Sequence, residues 1–288
     1  MALVLCTARG SRGGAFAAMA GGGGAGGGGG GYSLDPDSSD YDIDTTPIAH
    51  WDASDMNGNG DGNSGWPTDD TGTVSGTSRW VDRIGDYSLV QNSASTQGFY
   101  IDSAINSKPA VRCTSSENMV LLVKNAAGDA DAAVTADASG FHVYHCNKIT
   151  SNTGGFGVQG FTWTGSDPLF RIDRKISGSA VDDIKIHNSK TFVLADAYNK
   201  DNWYEMRAYD DGGTNKVLFR YRVDGSATAE TAAQTIDVDL DLESFGVNSG
   251  FQPDEDWAET IVFGEALSSS DRDQVEAYLN NKYAIADS

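Results

Sequence analysis

The hydrophobic and polar positions near the C-terminus first follow the period of a strand and then that of a helix. Over residues 257–263 the side chains fall into two alternating sets, as they do on opposite faces of a strand. The two sets are Trp257, Glu259, Ile261 and Phe263, and Ala258, Thr260 and Val262. We therefore predict a short strand here, with Trp257 in the core.

A capped amphipathic helix is predicted directly after this strand. Ser268 can accept a hydrogen bond from the backbone N–H three residues on, and Asp271 and Asp273 suit the positive end of the helix dipole. Lys282 suits the negative end. The residues at helical spacing that share one face are Val275, Tyr278, Leu279 and Tyr283. The pattern predicts a helix that buries this face.

The strands predicted in the middle of the chain are short and are separated by turn residues, which is typical of a β-sandwich. Asp210-Asp211-Gly212-Gly213 fits a hairpin turn between two of these strands. The clearest predicted strands span residues 141–149, 155–163, 169–173, 191–195, 203–209, 217–223 and 235–240. We therefore predict an all-β fold with one helix.

Three further segments occur in a recognisable order in the first half of the chain. They are His50-Trp51-Asp52-Ala53-Ser54-Asp55, Trp80-Val81-Asp82-Arg83-Ile84-Gly85 and Ile105-Asn106-Ser107-Lys108-Pro109-Ala110-Val111-Arg112. With the closing strand and helix, they resemble the opening strand, the W-x-D-x-x-G turn and the N-G-K-P-A-V-R strand of concanavalin A-like (LamG-type) jelly-roll domains. Ser107 and Cys113 stand where a glycine and an aromatic residue are expected. The resemblance covers residues 47–285 and implies a jelly-roll β-sandwich with one C-terminal helix.

The N-terminal segment 1–46 differs in composition from the domain predicted at 47–288. Its run GGGGAGGGGGGYS has no side chains to bury, which is typical of a flexible linker, and a polyglycine segment packed against copies of itself is the alternative. Arg9 and Arg12 follow the short apolar start instead of preceding it, which does not fit a cleaved secretory signal. We expect a glycine-rich, acidic arm that attaches the head to an assembly, with a disordered leader as the alternative.

Charge limits the partners of the chain. Its 41 acidic and 20 basic residues give a formal net charge of -21, which disfavours nucleic acid and anionic membranes. The sequence contains no run of eighteen or more apolar residues, so it predicts no membrane-spanning helix.

The three cysteines, Cys6, Cys113 and Cys146, lack a C-x-x-C spacing. Buried thiols are expected for the last two, with a bridge between them as the alternative.

Catalytic motifs are not found in the sequence. Glucanases that share the jelly-roll fold carry an E-x-D-x-x-E or E-x-D-x-E strand, and this chain lacks both. Asp237 and Asp239 alternate on a predicted strand and are expected to form a solvated face, while Glu205 lies alone on its strand. His142 and His145 are expected on opposite faces of one strand, which disfavours a shared metal. We therefore predict that the chain is not an enzyme.

One loop carries a candidate calcium site. Asp55, Asn57, Asn59 and Asp61 place oxygen ligands at every second position, with a glycine at the sixth, as in the first half of a calcium loop. The twelfth position is Trp66 instead of the bidentate glutamate. Asn-Gly and Asp-Gly turns explain the same residues without a metal, so both interpretations stay open.

Sugar binding by jelly-roll domains depends on aromatic rings beside polar groups, because sugar C–H faces stack on rings. Trp66, Trp163 and Trp203 are the candidate ligand-binding residues, since the other tryptophans belong to the matched structural motifs. Trp163 ends a predicted strand, and burial in the core is the alternative for this residue.

These features lead to one functional expectation. We expect a non-catalytic, surface-displayed virion protein, such as a phage capsid decoration or appendage subunit, with a lectin-like head that binds cell-surface glycans. Its expected partners are other virion proteins or copies of itself, joined through the arm into a homo-oligomer. The alternatives are a secreted, extracellular bacterial adhesin or polysaccharide-binding module and, with less support, a polysaccharide-degrading enzyme. The family part of this expectation is an analogy of fold.

Overall fold

The structure is a computed structural model that describes residues 31–58, 79–91, 99–113, 120–151, 172–177, 181–186, 190–195, 200–237, 239–246 and 254–286. The described residues belong to one compact unit that begins at Gly31. No helix in the described part of the chain is long and apolar enough to cross a membrane.

The described residues form an all-β sandwich with one helix at its C-terminal end. The strands are β1 (Tyr32–Ser33), β2 (Asp42–Ile43), β3 (Ala49–Asp52), β4 (Trp80–Val81), β5 (Tyr87–Gln91), β6 (Phe99–Ile105), β7 (Lys108–Cys113), β8 (Val120–Asn125), β9 (Val134–Ala136), β10 (Gly140–Ser151), β11 (Ile172–Ser177), β12 (Val181–Ile186), β13 (Lys190–Ala195), β14 (Asp201–Asp210), β15 (Asn215–Val223), β16 (Ala229–Glu230), β17 (Gln234–Thr235), β18 (Leu240–Leu242), β19 (Ser244–Gly246) and β20 (Asp254–Phe263). The helix is α1 (Ser269–Lys282).

A nine-stranded antiparallel sheet is the largest element of the fold. Its order is β16-β15-β14-β10-β20-β7-β6, with β17 also paired to β15 and β3 also paired to β20. The inner face of this sheet packs against the four-stranded sheet β19-β8-β5-β4 and the pair β18-β9. Trp51, Phe245 and Trp257 are buried between these layers. The sandwich core is therefore formed by strands distant in sequence.

The outer face of the nine-stranded sheet is covered by α1. Ser268 caps the helix by accepting from the Asp271 N–H at 3.1 Å, as predicted. The predicted helix face, Val275, Tyr278, Leu279 and Tyr283, is buried against the sheet. The sheet therefore has a second apolar layer on the side away from the sandwich core.

A β-bulge at Ala258 places the side chains of Trp257 and Glu259 on opposite faces of β20, which differs from the prediction. Glu259 pairs with Cys146 of β10, whereas Trp257 pairs with the next residue, Asn147, so Ala258 is the extra residue. Trp257 consequently packs in the sandwich core, while Glu259 and the alternating residues after it face the helix. Strict alternation had placed Trp257 and Glu259 on one face.

The N-terminal strands β1 and β2 form a hairpin that belongs to the compact unit beginning at Gly31. Leu34 and Ile43 of this hairpin are fully buried in the apolar layer under α1. Residues 31–46, which the sequence assigns to the arm, therefore pack with the head in this structure. The predicted boundary at residue 47 lies inside the packed unit.

Two turns lie within the sequence segments 80–85 and 105–112. Asp82 Oδ1 accepts from the N–H groups of Gly85 at 2.7 Å and Tyr87 at 3.1 Å, and Gly85 has a φ of 89° that suits glycine. Asn106 and Ser107 have φ values of 44° and 62°, and they join β6 to β7 as a two-residue hairpin turn. The left-handed conformation explains why a glycine is expected in place of Ser107.

The predicted strand at 235–240 is divided. Gln234–Thr235 pairs with β15, whereas Leu240–Leu242 pairs with β9, so Asp237 lies outside both strands and is exposed. The predicted strand at 155–163 lies outside the described residues.

Cys146 is a free, buried thiol, so the alternative bridge to Cys113 is not formed.

Candidate functional site

The candidate site lies at the C-terminal end of α1, on the outer face of the nine-stranded sheet. Strand β3 pairs with β20 so that Asp52 is opposite Glu259 and His50 is opposite Ile261. His50 and Asp52 flank the buried Trp51 and face away from the sandwich core. The register therefore brings a histidine and two carboxylates together beneath the helix.

Lys282 of the helix joins the two carboxylates. Its Nζ lies 2.7 Å from Asp52 Oδ2 and 2.9 Å from Glu259 Oε2. Glu259 also accepts from the hydroxyl groups of Tyr278 at 2.8 Å and Tyr283 at 2.9 Å. Its Oε1 lies 2.5 Å from His50 Nε2. A buried carboxylate is thus surrounded by hydrogen-bond donors, which a charged group in this environment requires.

The electrostatic balance of this cluster favours the charged carboxylates. Burial is the largest single influence and disfavours the ionised forms, but the charge of Lys282 and the contacts with His50 together outweigh it and lower the pKa of both Asp52 and Glu259. Burial also acts against the charged lysine, and the neighbouring Asp52 and Glu259 still raise the pKa of Lys282. For His50 burial dominates over the contact with Glu259 and lowers the pKa. The cluster therefore contains an ammonium ion, two carboxylates and a neutral imidazole at neutral pH.

Arg83 links this cluster to the N-terminal hairpin. Its Nη1 donates to the Leu34 carbonyl at 2.5 Å and lies 3.9 Å from Asp52 Oδ2, and its Nε lies 3.8 Å from Asp55 Oδ2. Tyr32 of the hairpin lies with its hydroxyl 2.8 Å from His50 Nδ1. The hairpin, the Asp82 turn and α1 therefore meet at one set of ion pairs.

A cavity of about 500 Å³ opens above these ion pairs. Its floor includes Asp52, Arg83 and Lys282, and its wall includes the rings of Tyr41 and Tyr278, which meet edge to face at 5.7 Å. Asn281 donates from its amide to the Tyr41 hydroxyl. The rim carries the side chains Asp35, Asp37, Ser54 and Lys108. Polar groups of both charges and an aromatic wall are thus presented to one volume, which suits a polar organic ligand.

Three residues of the cluster have the donor atoms of a metal site. His50, Asp52 and Glu259 each offer one ligand atom, and these atoms lie within 4.8 Å of one another. Lys282 contacts both carboxylates and already supplies the positive charge that a metal ion would bring. The donor set present with Lys282 therefore fits an internal ion pair better than a metal ion.

A second polar cluster lies under the other part of α1. His142 Nε2 accepts from the Leu267 N–H at 3.0 Å, so its proton is on Nδ1, which donates to Glu205 Oε1 at 2.6 Å. Tyr144 also donates to Glu205, at 2.9 Å. Burial outweighs the contact with Glu205 and lowers the pKa of His142. His145 instead contacts Thr260 on the opposite face of the sheet, so the two histidines point to opposite faces as expected.

The predicted sugar-binding tryptophans do not line this cavity as far as they are described. Trp203 is fully buried between the sheet and α1, and its indole N–H donates to Asn280 Oδ1 at 2.8 Å. This burial argues against a ring that stacks on a sugar, because both of its faces are covered by protein. Trp66 and Trp163 lie outside the described residues.

The candidate calcium loop is described in its first part. Asp55 is buried and faces Arg83, while Asn57 is half-buried. Asn59 and Asp61 lie outside the described residues. Within the described part, Asp55 therefore takes part in the ion pairs of the cavity floor, a role that the loop pattern did not indicate.

His50, Asp52, Arg83 and Lys282 were not predicted as site residues. A signal was present in His50-Trp51-Asp52, because alternation puts the two polar residues on the face opposite a core tryptophan. Lys282 was interpreted as a favourable charge at the helix end. Its contact with residues of β3 and β20 depends on pairing between distant parts of the chain, which no local pattern reveals.

No protein-family model matches the chain, and no curated protein matches it. Among solved structures, the chain is similar to a mutant GH54 α-L-arabinofuranosidase soaked with 4-nitrophenyl α-L-arabinofuranoside, at 12% identity over 70% of this chain and 50% of that chain, with a TM-score of 0.49. It is similar to the receptor-binding domain of botulinum neurotoxin type G at 11% identity, 84% and 51% coverage, and a TM-score of 0.45.

A third similar structure is a tail fibre protein from an E. coli phage, at 11% identity over 45% of this chain and 15% of that chain, with a TM-score of 0.33. The chain spans about half the length of the first two structures. Likeness at this level carries no argument about what this chain binds or does.

Proposed function

We propose that this chain is a non-catalytic glycan-binding protein displayed on a virion surface, and that the cavity at the end of α1 is its binding site. The observation that carries the proposal is the lining of the cavity. Tyr41, whose hydroxyl accepts from the amide of Asn281, lines the cavity together with Ser54 and with charged residues of both signs. Sugars are recognised by this combination, because their C–H faces pack on rings while their hydroxyls need polar partners.

The protonation states of Asp52, Glu259 and Glu205 support a binding role over a hydrolytic one at these three groups. Cleavage of a glycosidic bond needs one carboxylic acid with a raised pKa as proton donor. Asp52 and Glu259 have lowered pKa values and share the Lys282 ammonium group. Burial acts against ionisation of Glu205, but its contacts with His142 and Tyr144 outweigh burial and lower its pKa. These three carboxylates are therefore poor proton donors at neutral pH.

The virion part of the proposal rests on the jelly-roll resemblance and on the glycine-rich segment 1–30. A segment with few side chains can attach a folded head to other subunits, because glycine permits close approach of backbones. Capsid or tail genes beside the coding gene would support this assignment. Neighbouring secretion or polysaccharide-utilisation genes would favour the alternative of an adhesin or a secreted polysaccharide-binding module.

A glycan array with the full chain, run beside a reducing-sugar assay on the bound polysaccharides, tests the function. We expect binding without release of reducing ends, and loss of binding in Tyr41→Ala. Tyr209→Ala is the matched control, because Tyr209 lies half-buried on β14 away from the cavity. Release of reducing ends that is abolished by Glu205→Gln, or binding that survives Tyr41→Ala, would contradict the proposal.

A further inference from the structure

The charges around the cavity are not all paired, and the unpaired ones carry information about the ligand. Lys282 is shared between Asp52 and Glu259, and Arg83 lies near Asp52 and Asp55. These ion pairs form the floor of the cavity. A ligand that recruited either cation would have to compete with carboxylates already in contact with it, which makes the floor a poor receptor for an anion.

The unpaired acids are on the rim. Asp35 and Asp37 lie in the connection between β1 and β2, where the Asp37 N–H donates to Asp35 Oδ1 at 3.1 Å. Among the described residues, no basic side chain lies within ion-pair distance of either carboxylate. Asp37 is exposed and Asp35 is half-buried. Both residues line the cavity, and neither carboxylate has a cationic partner from the described part of the chain.

The opposite charge on the rim is Lys108, which follows the hairpin turn at Asn106 and Ser107. It is exposed, and within the described ranges it makes no ion pair. The charged cavity residues are thus Asp35, Asp37, Asp52 and Asp55 against Arg83, Lys108 and Lys282. Glu259, in contact with Lys282, adds a further negative charge beneath them. The local balance is negative, in agreement with the net charge of -21 for the chain.

We propose that the cavity selects saccharides that carry protonated amino groups, such as deacetylated hexosamine units, over saccharides that carry carboxylate or sulfate groups. The inference rests on the glycan-binding function proposed above. The ammonium group of the ligand pairs with the unpartnered carboxylates of Asp35 and Asp37, and the hydroxyls and ring of the ligand contact Tyr41 and Asn281. The negative field of the chain attracts a cationic ligand and repels an anionic one. Lys108 opposes the same ligand and limits its affinity.

Isothermal titration calorimetry of the full chain with three oligosaccharides of equal length tests this selection. The probes are fully deacetylated glucosamine oligomer, its N-acetylated form and galacturonate oligomer, at low salt and a pH at which the amines are protonated. We expect the deacetylated oligomer to bind about tenfold more tightly than the acetylated one, the scale of one charge-assisted hydrogen bond. We expect the galacturonate oligomer to bind weakest.

Charge-neutralising variants assign the effect to the rim. Asp37→Asn should remove most of the preference for the deacetylated oligomer, and Asp35→Asn combined with it should remove the rest. Lys108→Gln should raise the affinity for the deacetylated oligomer about threefold, because a repulsive charge is lost. Asp40→Asn is the matched control, since Asp40 is an exposed acid of the same hairpin that does not line the cavity. Melting curves of each variant establish that the hairpin stays folded.

Several results would overturn the selection while leaving glycan binding intact. These are equal or tighter binding of the acetylated or galacturonate oligomer, and a preference for amines that Asp37→Asn leaves unchanged. Displacement of the deacetylated oligomer by oligolysine or calcium at equal charge would identify a general cation site and would also overturn it. Failure of the proposed function gives a different result, since no glycan on the array would then bind.

Discussion

The Lys282 ammonium group lies 2.9 Å from the carboxylate of Glu259, which is fully buried on β20. The same lysine lies 2.7 Å from Asp52 on β3. One side chain at the end of α1 therefore compensates two buried negative charges from two strands. This contact ties the helix to the outer face of the sheet by charge as well as by apolar packing.

Removing the Lys282 ammonium group should lower the free energy of unfolding. Lys282→Met leaves Asp52 and Glu259 buried without their cation, so we expect the free energy of unfolding at pH 7 to fall by about 3 kcal/mol. Urea denaturation of the full chain measures it. Lys200→Met is the control, because Lys200 is exposed and should change stability by less than about 0.5 kcal/mol. Equal stability of Lys282→Met and Lys200→Met would contradict the role given to Lys282.

Stability should fall as the pH drops from 7.5 to 6. Burial lowers the pKa of His50 and His142 below the ordinary value of 6.5, so the unfolded chain binds more protons than the folded chain in this range. Each histidine adds a slope approaching about 1.4 kcal/mol per pH unit below its ordinary pKa. Denaturation curves at several pH values measure this slope. A stability that is constant from pH 7.5 to 6 would rule out the neutral, buried histidines.

The contribution of Asp82 to the pH dependence of stability should have the opposite sign to that of the histidines. Burial raises its pKa to about 6, despite the backbone hydrogen bonds that it accepts, so the folded chain binds more protons at this group than the unfolded chain between about pH 4 and 6. Its contribution to stability is therefore fully present at low pH and lost as the pH rises through 6. Asp82→Asn keeps an oxygen for the turn and should steepen the acid-induced loss of stability. An unchanged slope would contradict the raised pKa.

The N-terminal boundary of the head is testable by truncation. A chain that begins at Gly31 should unfold with the same free energy as the full chain, because the compact unit begins there. A chain that begins at Pro47 loses Leu34 and Ile43, which are fully buried, and should be less stable by about 3 to 6 kcal/mol. Equal stability of the two truncated chains would show that the hairpin does not contribute to the fold.

Trp257→Ala should lower the free energy of unfolding by about 3 to 5 kcal/mol, the usual cost of truncating a buried aromatic side chain. Trp257 is 3% exposed, and its ring centroid lies 5.9 Å from that of Phe245 in the sandwich core. Denaturation curves of Trp257→Ala and Trp257→Phe are compared. Because phenylalanine keeps an aromatic ring, the difference between them measures the cost of the larger cavity that alanine leaves in the core. A loss as small as that of a surface substitution would place Trp257 outside the core.

Much of the fold could be predicted from local patterns. Ser268 caps α1 because a serine before an amphipathic run offers its oxygen to the first turn, and this depends on neighbours in sequence. Asp82 and Gly85 likewise form the predicted turn. The bulge at Ala258 could not be predicted, because it is defined by pairing with β10 and not by β20 itself. Its effect is to reverse the face of Trp257 relative to Glu259.

The sequence by itself determined the elements whose cause is local: the alternation of the strands, the capped helix, the tight turns and the acidic charge of the chain. The tertiary structure alone decided which polar residues meet. Asp52, Glu259 and Lys282 are far apart in sequence, and strand pairing together with helix packing brings them within hydrogen-bond distance. The physical reason is that a buried charge requires a partner, and the partner is selected by the register of the sheet rather than by any pattern along the chain.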